Sequence, residues 1–135
     1  MPITKGCKTL VAEARAKIRT ISVDDAKAKL GDPGVVFVDI RDVRELERDG
    51  MIPGAFHAPR GMLEFWVDPD SPYYKDVFGS GKEFVFYCAS AWRSALATAV
   101  VQEMGLEPVC HIDGGFNGWK QGGGAVGERP SKHAA

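Results

Sequence analysis

With 135 residues, the chain has room for one domain, since compact units take roughly 100 to 150 residues and a second would lack a core of its own. A hydrophobic share of 44% against 26% charged residues excludes an intrinsically disordered chain. A formal net charge of −1 gives no global attraction to nucleic acid or to an anionic membrane, so any anion site has to be built locally.

Cys7, Cys88 and Cys110 show no Cys-x-x-Cys spacing, which argues against a disulfide framework and a zinc site and for a reducing compartment. No apolar run approaches the roughly 18 residues of a membrane span, and the N-terminus lacks the apolar centre of a secretion signal, so the cytoplasm is the expected location. Lys5, Lys8, Arg15, Lys17 and Arg19 against Glu13 alone would also suit an organelle-targeting segment; a solvated helix is the simpler expectation.

Leu10, Val11, Ala14 and Ile18 recur at helical spacing and predict an N-terminal amphipathic helix, an extension over residues 1–19. Ser22 ahead of Asp24 and Asp25 is an N-cap with acids in the first turn, and the helix Val23–Leu30 should end at Gly31, with Pro33 barring its resumption. Val35–Val38 is a short, β-rich apolar run ending at Asp39, as expected of a strand covered on both faces. A surface helix over Arg41–Arg48 leads to a turn at Ile52-Pro53-Gly54-Ala55.

Residues 58–78 give no long element signal but hold Phe65, Trp66, Tyr73, Tyr74 and Phe78, rings expected to cover one sheet face, with a pocket wall or partner surface as the alternative. Phe84–Tyr87 repeats the buried-strand pattern and ends at Cys88. The helix Arg93–Glu103 carries Leu96, Ala99, Val100 and Met104 as its apolar stripe and closes at Gly105. Val109–Ile112 is a last strand, followed by Gly114-Gly115 and a short helix around Trp119, and the glycine-rich tail 122–135 is expected to fray.

Strands alternating with helices predict an α/β fold, an open, mostly parallel sheet of about five strands with helices on both faces. Its carboxyl edge would gather Asp39, Cys88 and Asp113, and ligands of such sheets bind along that edge.

Cys88-Ala89-Ser90-Ala91-Trp92-Arg93 joins a strand end to a helix start. Such a loop can aim successive N–H groups inward as an anion nest, and the helix N-terminus adds roughly half a positive charge. Such settings lower a cysteine pKa from about 8.5 toward roughly 3.5 to 7.5 and make the sulfur a nucleophile. Arg93 adds a permanent charge with a planar donor fork suited to oxyanions. The bland reading, a cysteine that merely ends an apolar strand as a small buried hydrophobe, does not account for the small-residue loop or the arginine.

Phe86–Ala95 resembles the active-site loop of the rhodanese family. Val38-Asp39-Ile40-Arg41 with Glu45, Ile52-Pro53-Gly54-Ala55, and His111–Phe116 with Trp119 are similar to further blocks of that family in the same order, over residues 20–121. The chain departs from the pattern at Met51, where many members have histidine, and by one extra residue between Arg41 and Gly50.

The resemblance implies a rhodanese-like domain in which Cys88 takes sulfane sulfur from thiosulfate or a related donor as a persulfide and passes it to cyanide or a thiol. No metal or organic cofactor is implied. The partners would be the small sulfur donor, a thiophilic acceptor and, as a further candidate, a protein acceptor; neither nucleic acid nor membrane is expected, and the oligomeric state is left open. Ala89, Ser90, Ala91, Trp92 and Arg93 would cradle the sulfur, and Arg93 would orient the oxyanion donor. Asp39 would hold Arg93 or the loop, with Arg41 and Arg60 as further supporting positions, Arg60 as a second positive charge or simply a solvated one.

Two other functions compete. A phosphatase or arsenate reductase of the related fold would use a loop one residue longer, and a relay or binding module without turnover would keep the same residues. Trp92 is expected to stay partly exposed and to shape access. Cys110, adjacent to His111 on a strand, should point into the core away from it, Cys7 should be an ordinary surface thiol, and His57 has no partner discernible from sequence.

Overall fold

The computed structural model describes residues 2–130. Five strands, β1 (Arg19–Ile21), β2 (Val35–Asp39), β3 (Phe56–His57), β4 (Glu83–Tyr87) and β5 (Val109–Ile112), form one sheet in the order β1-β5-β4-β2-β3. Every pairing is parallel, with Val38 opposite Phe86 and Phe86 opposite His111. Successive strand residues face opposite ways, which splits the apolar runs into two cores. Val38, Phe84, Phe86 and Val109 pack in one layer with Leu63, Val67, Ala97 and Val101. Phe37, Val85, Tyr87, Cys110 and Ile112 pack in the other with Ala26, Phe116 and Trp119.

The helices are α1 (Cys7–Lys17), α2 (Val23–Lys29), α3 (Val43–Asp49), α4 (Leu63–Val67), α5 (Trp92–Glu103) and α6 (Gly115–Gln121). Helices α4 and α5 cover the first layer, α2 and α6 the second. The fold is therefore the open parallel α/β sheet with helices on both faces that the alternation of elements predicts. Local signals set the ends of the helices: Ser22 caps α2 by accepting from the Asp25 N–H at 3.0 Å, and Asp42 with Glu45 forms a capping box on α3. Among the described residues no helix is long and apolar enough to cross a membrane.

Four features differ from the sequence expectation. Strands β1 and β3 are three and two residues long, too short to show a period, and they form only because a parallel neighbour is already in place. The segment 58–78 is broken into α4 and two 3₁₀ turns, Arg60–Met62 and Asp76–Gly79. Its rings do cover a sheet face: Phe78 stacks on Phe84 at 5.5 Å, and Phe56 meets Trp66 and Phe78 edge-on, while Phe65 and Tyr73 stay exposed.

The stripe read on α5 is not its sheet-facing side. Ala97 and Val101 face the sheet, Leu96 and Ala99 pack beside Val11 and Ala14 of α1, and Val100 and Met104 are exposed. Helix α5 serves two surfaces, and a periodicity argument assigns it one. The tail is anchored as far as it is described: the Trp119 indole N–H donates to Ala125 O at 2.7 Å, and Met51 and Gly127 exchange two backbone hydrogen bonds of 2.9 and 2.8 Å. The expected fraying of 131–135 lies outside the described residues.

Candidate active site

Strand β4 ends at Tyr87, the chain turns through Cys88–Ala91, and α5 begins at Trp92 with no side chain capping its N-terminus. Ala91 holds the cap position in the left-handed region at φ 76°, the one non-glycine residue with positive φ among the described residues. That costs roughly 1 kcal/mol or more relative to glycine. The cysteine supplies the missing acceptor: the Ser94 N–H, in the first turn of α5, donates to Cys88 Sγ at 3.3 Å.

The outer wall of the loop is held by α6. The Phe116 N–H donates to Cys88 O at 2.7 Å and the Asn117 N–H to Ala89 O at 3.0 Å. Gly115 makes this approach possible. At φ +61°, a Cβ there would lie 2.6 Å from Cys88 O and 2.7 Å from Ala89 O. The carbonyls at the start of the loop thus face outward, toward α6, while the helix end of the loop directs an N–H at the sulfur.

A cysteine at the ligand-binding edge of the sheet is expected to be accessible, and the structure differs: Cys88 is 1% exposed. Cys88 continues the alternation of β4 and points into the layer of Phe84 and Phe86, and Ala91, 2% exposed, closes in beside it. Ser90 and Trp92 are the exposed members of the loop, Trp92 at 46%.

The supporting charges are also arranged otherwise than expected. Asp39 does not hold Arg93. Asp39 is in register with Tyr87, so both point into the layer opposite Cys88, and Asp39 pairs there with Arg41 at 2.7 and 3.0 Å, both residues at most 1% exposed. Arg41 also donates to Gly50 O at 2.7 Å and lies over the Phe116 ring at 4.3 Å. Burial opposes the Arg41 charge, but the hydrogen bonds and field of Asp39 outweigh it.

Arg93 is held instead by Glu45, through a two-pronged pair of 2.8 and 3.0 Å. The Arg93 guanidinium keeps the Glu45 carboxyl below the usual carboxylate range. Glu45 stands out in the sequence only beside the Val38–Arg41 block, and its partner 48 positions away is not legible there. Arg60 is exposed and lines a groove between α1 and α5 with Leu10, Lys17, Leu96 and Val100, a groove to which no residue of 88–93 contributes.

Cys110 is buried in the second core, as expected, and burial pushes its thiol up to about 11, which leaves it neutral at physiological pH. His57 has a partner that sequence could not supply, the Arg41 carbonyl, 2.7 Å from Nε2. Burial of the Tyr87 phenol, which accepts from the Ile52 N–H at 3.1 Å, holds its pKa far above the ordinary value.

His111 is wholly buried, with Nδ1 2.8 Å from Ser94 Oγ and Nε2 2.9 Å from Thr20 Oγ1. Burial and the nearby Arg15 push it down to about 4. The unfolded chain then binds the extra proton first, so the stability this group contributes is complete above the ordinary pKa near 6.5 and is lost as pH falls toward about 4. Urea unfolding at pH 7 and pH 5 should show wild type losing stability over that interval and His111→Asn losing less. Equal losses in both proteins would refute the assignment.

A parallel α/β domain thus delivers a cysteine from a central strand to the N-terminus of a helix, with an arginine closing the turn. The rhodanese-like domain model matches residues 22–122, and the chain belongs to that family. A protein of unknown function from Rhodopseudomonas palustris, described as a possible tyrosine phosphatase, is 54% identical, with a TM-score of 0.91 over 94% of this chain and 98% of that one. The thiosulfate:glutathione sulfurtransferase of Saccharomyces cerevisiae is 30% identical over 116 residues, 81% of this chain and 83% of its own length. The polysulfide-sulfur transferase homodimer of Wolinella succinogenes is 28% identical, with a TM-score of 0.67 over 94% of this chain and 90% of that one. Membership of this family supports sulfurtransferase activity in general.

Proposed function

We propose that this protein is a sulfurtransferase that carries sulfane sulfur as a persulfide on Cys88. The observation that carries the reading is Cys88 Sγ accepting the first-turn N–H of α5 inside a six-residue loop closed by Arg93. A helix N-terminus and an N–H donor favour the thiolate and equally favour the terminal sulfur of a persulfide anion. The Cys88 thiolate attacks the outer sulfur of thiosulfate, the S–S bond of the donor breaks, and sulfite leaves with the electron pair. The acceptor, cyanide or a thiolate, then attacks the terminal persulfide sulfur and returns Cys88 as thiolate, with no net redox change.

Arg93, fixed by Glu45 and 37% exposed at its side chain, suits the sulfonate oxygens of the donor. Because Cys88 is closed off in this conformation, the donor reaches it only when the Ser90–Trp92 side of the loop moves aside, and that opening is part of the proposal. Loop gating of this kind is common in enzymes. A small donor and acceptor are the partners, with a protein acceptor a further candidate, and three free cysteines fit a reducing compartment such as the cytoplasm.

The description of the Rhodopseudomonas palustris protein favours a second reading, phosphoester hydrolysis. Loop length weighs against it, since four residues between Cys88 and Arg93 form a narrow cradle that suits one sulfur atom better than a phosphate. Intact-mass measurement after thiosulfate treatment should show one added sulfur atom on wild type, removed by cyanide, and none on Cys88→Ser. Hydrolysis of an aryl phosphate with no sulfite released from thiosulfate would overturn the proposal.

A further inference from the structure

Sulfur transfer as described gives no part to the buried imidazole of His111. His111 is 0% exposed on β5, and both of its ring nitrogens are engaged: Nδ1 with Ser94 Oγ at 2.8 Å and Nε2 with Thr20 Oγ1 at 2.9 Å. Ser94, also 0% exposed, is the residue whose backbone N–H meets Cys88 Sγ at 3.3 Å. A chain of polar contacts therefore runs from half-buried Thr20 on β1, through His111 and the Ser94 hydroxyl, to the residue whose backbone N–H meets the sulfur.

We infer that His111 is a positioning residue for Cys88: by gripping the Ser94 hydroxyl it fixes the first turn of α5, and with it the Ser94 N–H, against the sulfur. The inference rests on the sulfur-transfer reading for its consequence in turnover, though not for its effect on the thiol. Three considerations carry it. Helix α5 has no side-chain cap, so the register of its first turn against β4 is not set by the usual Ser, Thr, Asp or Asn acceptor. The Ser94 hydroxyl sits on the same residue as the critical N–H, so holding one holds the other. A neutral imidazole has one donor and one acceptor nitrogen, and two hydroxyls satisfy both whichever tautomer is present.

The charged groups facing His111 are Arg15 on α1, which opposes its protonation, and Asp113 after β5, which favours it; the two pair with each other at 3.4 Å. Burial keeps the ring neutral at physiological pH, so the contact chain works in one protonation state. Sequence reasoning had no access to this arrangement, because β1 gave no signal and Ser94 read as an ordinary helix residue.

The test reads Cys88 directly. Iodoacetamide modification of Cys88, followed at the peptide level across pH, is compared in wild type, Ser94→Ala, His111→Phe, His111→Asn and Thr20→Val. Ser94→Ala keeps the N–H and removes only the grip. Losing the alignment of an N–H with a thiolate should move the profile of Ser94→Ala and His111→Phe to higher pH by roughly half a unit to one unit, about three- to tenfold less reaction at neutral pH. Persulfide formation from thiosulfate should slow in parallel.

His111→Asn, which can still hydrogen-bond Ser94, should recover most of the loss. The Ser94→Ala/His111→Phe double variant should be no slower than the slower single, because both break the same link. Profiles unmoved in folded Ser94→Ala and Thr20→Val, or additive losses in the double variant, would overturn the inference. Should His111→Phe fail to fold, Ser94→Ala and Thr20→Val decide it. A wild type that takes no sulfur from thiosulfate would refute the proposed function alone, since the alkylation profile involves no sulfur donor.

Discussion

Gly115→Ala should destabilise the domain by about 3 kcal/mol and abolish persulfide formation. Two costs add. A non-glycine residue at φ +61° pays roughly 1 to 2 kcal/mol for the left-handed backbone. The new Cβ would also sit 2.6 and 2.7 Å from the carbonyl oxygens of Cys88 and Ala89, and α6 cannot retreat without stretching the hydrogen bonds from Phe116 N and Asn117 N to those oxygens, worth about 1 kcal/mol each. Thermal unfolding should show a melting temperature lower by roughly 10 °C. Gly61→Ala is the control, because its Cβ would meet nothing within 4 Å and its φ is not positive. Equal stability of the two variants would mean that α6 does not clamp the cysteine loop.

Asp39→Ala is expected to have the largest effect on stability alone. The substitution leaves the Arg41 guanidinium at 1% exposure with the Gly50 carbonyl, two aromatic faces and the more distant charge of Glu45 for company. Stranding one partner of a buried pair typically costs 3 to 5 kcal/mol, whereas replacing both partners with apolar residues is often close to neutral. Urea midpoints should therefore fall steeply for Asp39→Ala and recover in Asp39→Leu/Arg41→Met. Glu45→Ala, which breaks a pair exposed to 37% and 18%, should cost only about 1 kcal/mol by comparison. A small loss in Asp39→Ala, or a double variant no better than the single, would show that Arg41 reaches water after all.

Asp39 and Glu45 hold different arginines. Asp39, Cys88 and Asp113 stand at the same edge of the sheet, which made Asp39 the natural partner for Arg93. A strand residue's edge position says nothing about which face it points to. Asp39 shares its face with Tyr87, and Cys88 lies on the other, so the acid of β2 stabilises the opposite core while Glu45, at the start of α3, reaches across to Arg93. Arg60 illustrates the same limit, since its charge was visible but its neighbours on α1 and α5 were not.

What the sequence determined by itself was whatever rests on contacts near in the chain. The cap at Ser22, the uniformly apolar runs at Val35–Val38 and Phe84–Tyr87, and the small-residue loop from Cys88 to Arg93 each carry their cause within a few residues. The class of fold and the candidate nucleophile follow from them. Tertiary structure decided what depends on residues far apart in sequence: the formation of β1 and β3, the burial of Cys88, the pairing of Arg93 with Glu45, and the link from Thr20 through His111 to Ser94. Their common physical reason is that a polar side chain in a low-dielectric interior must find some partner, and only the packed sheet determines which one lies within reach.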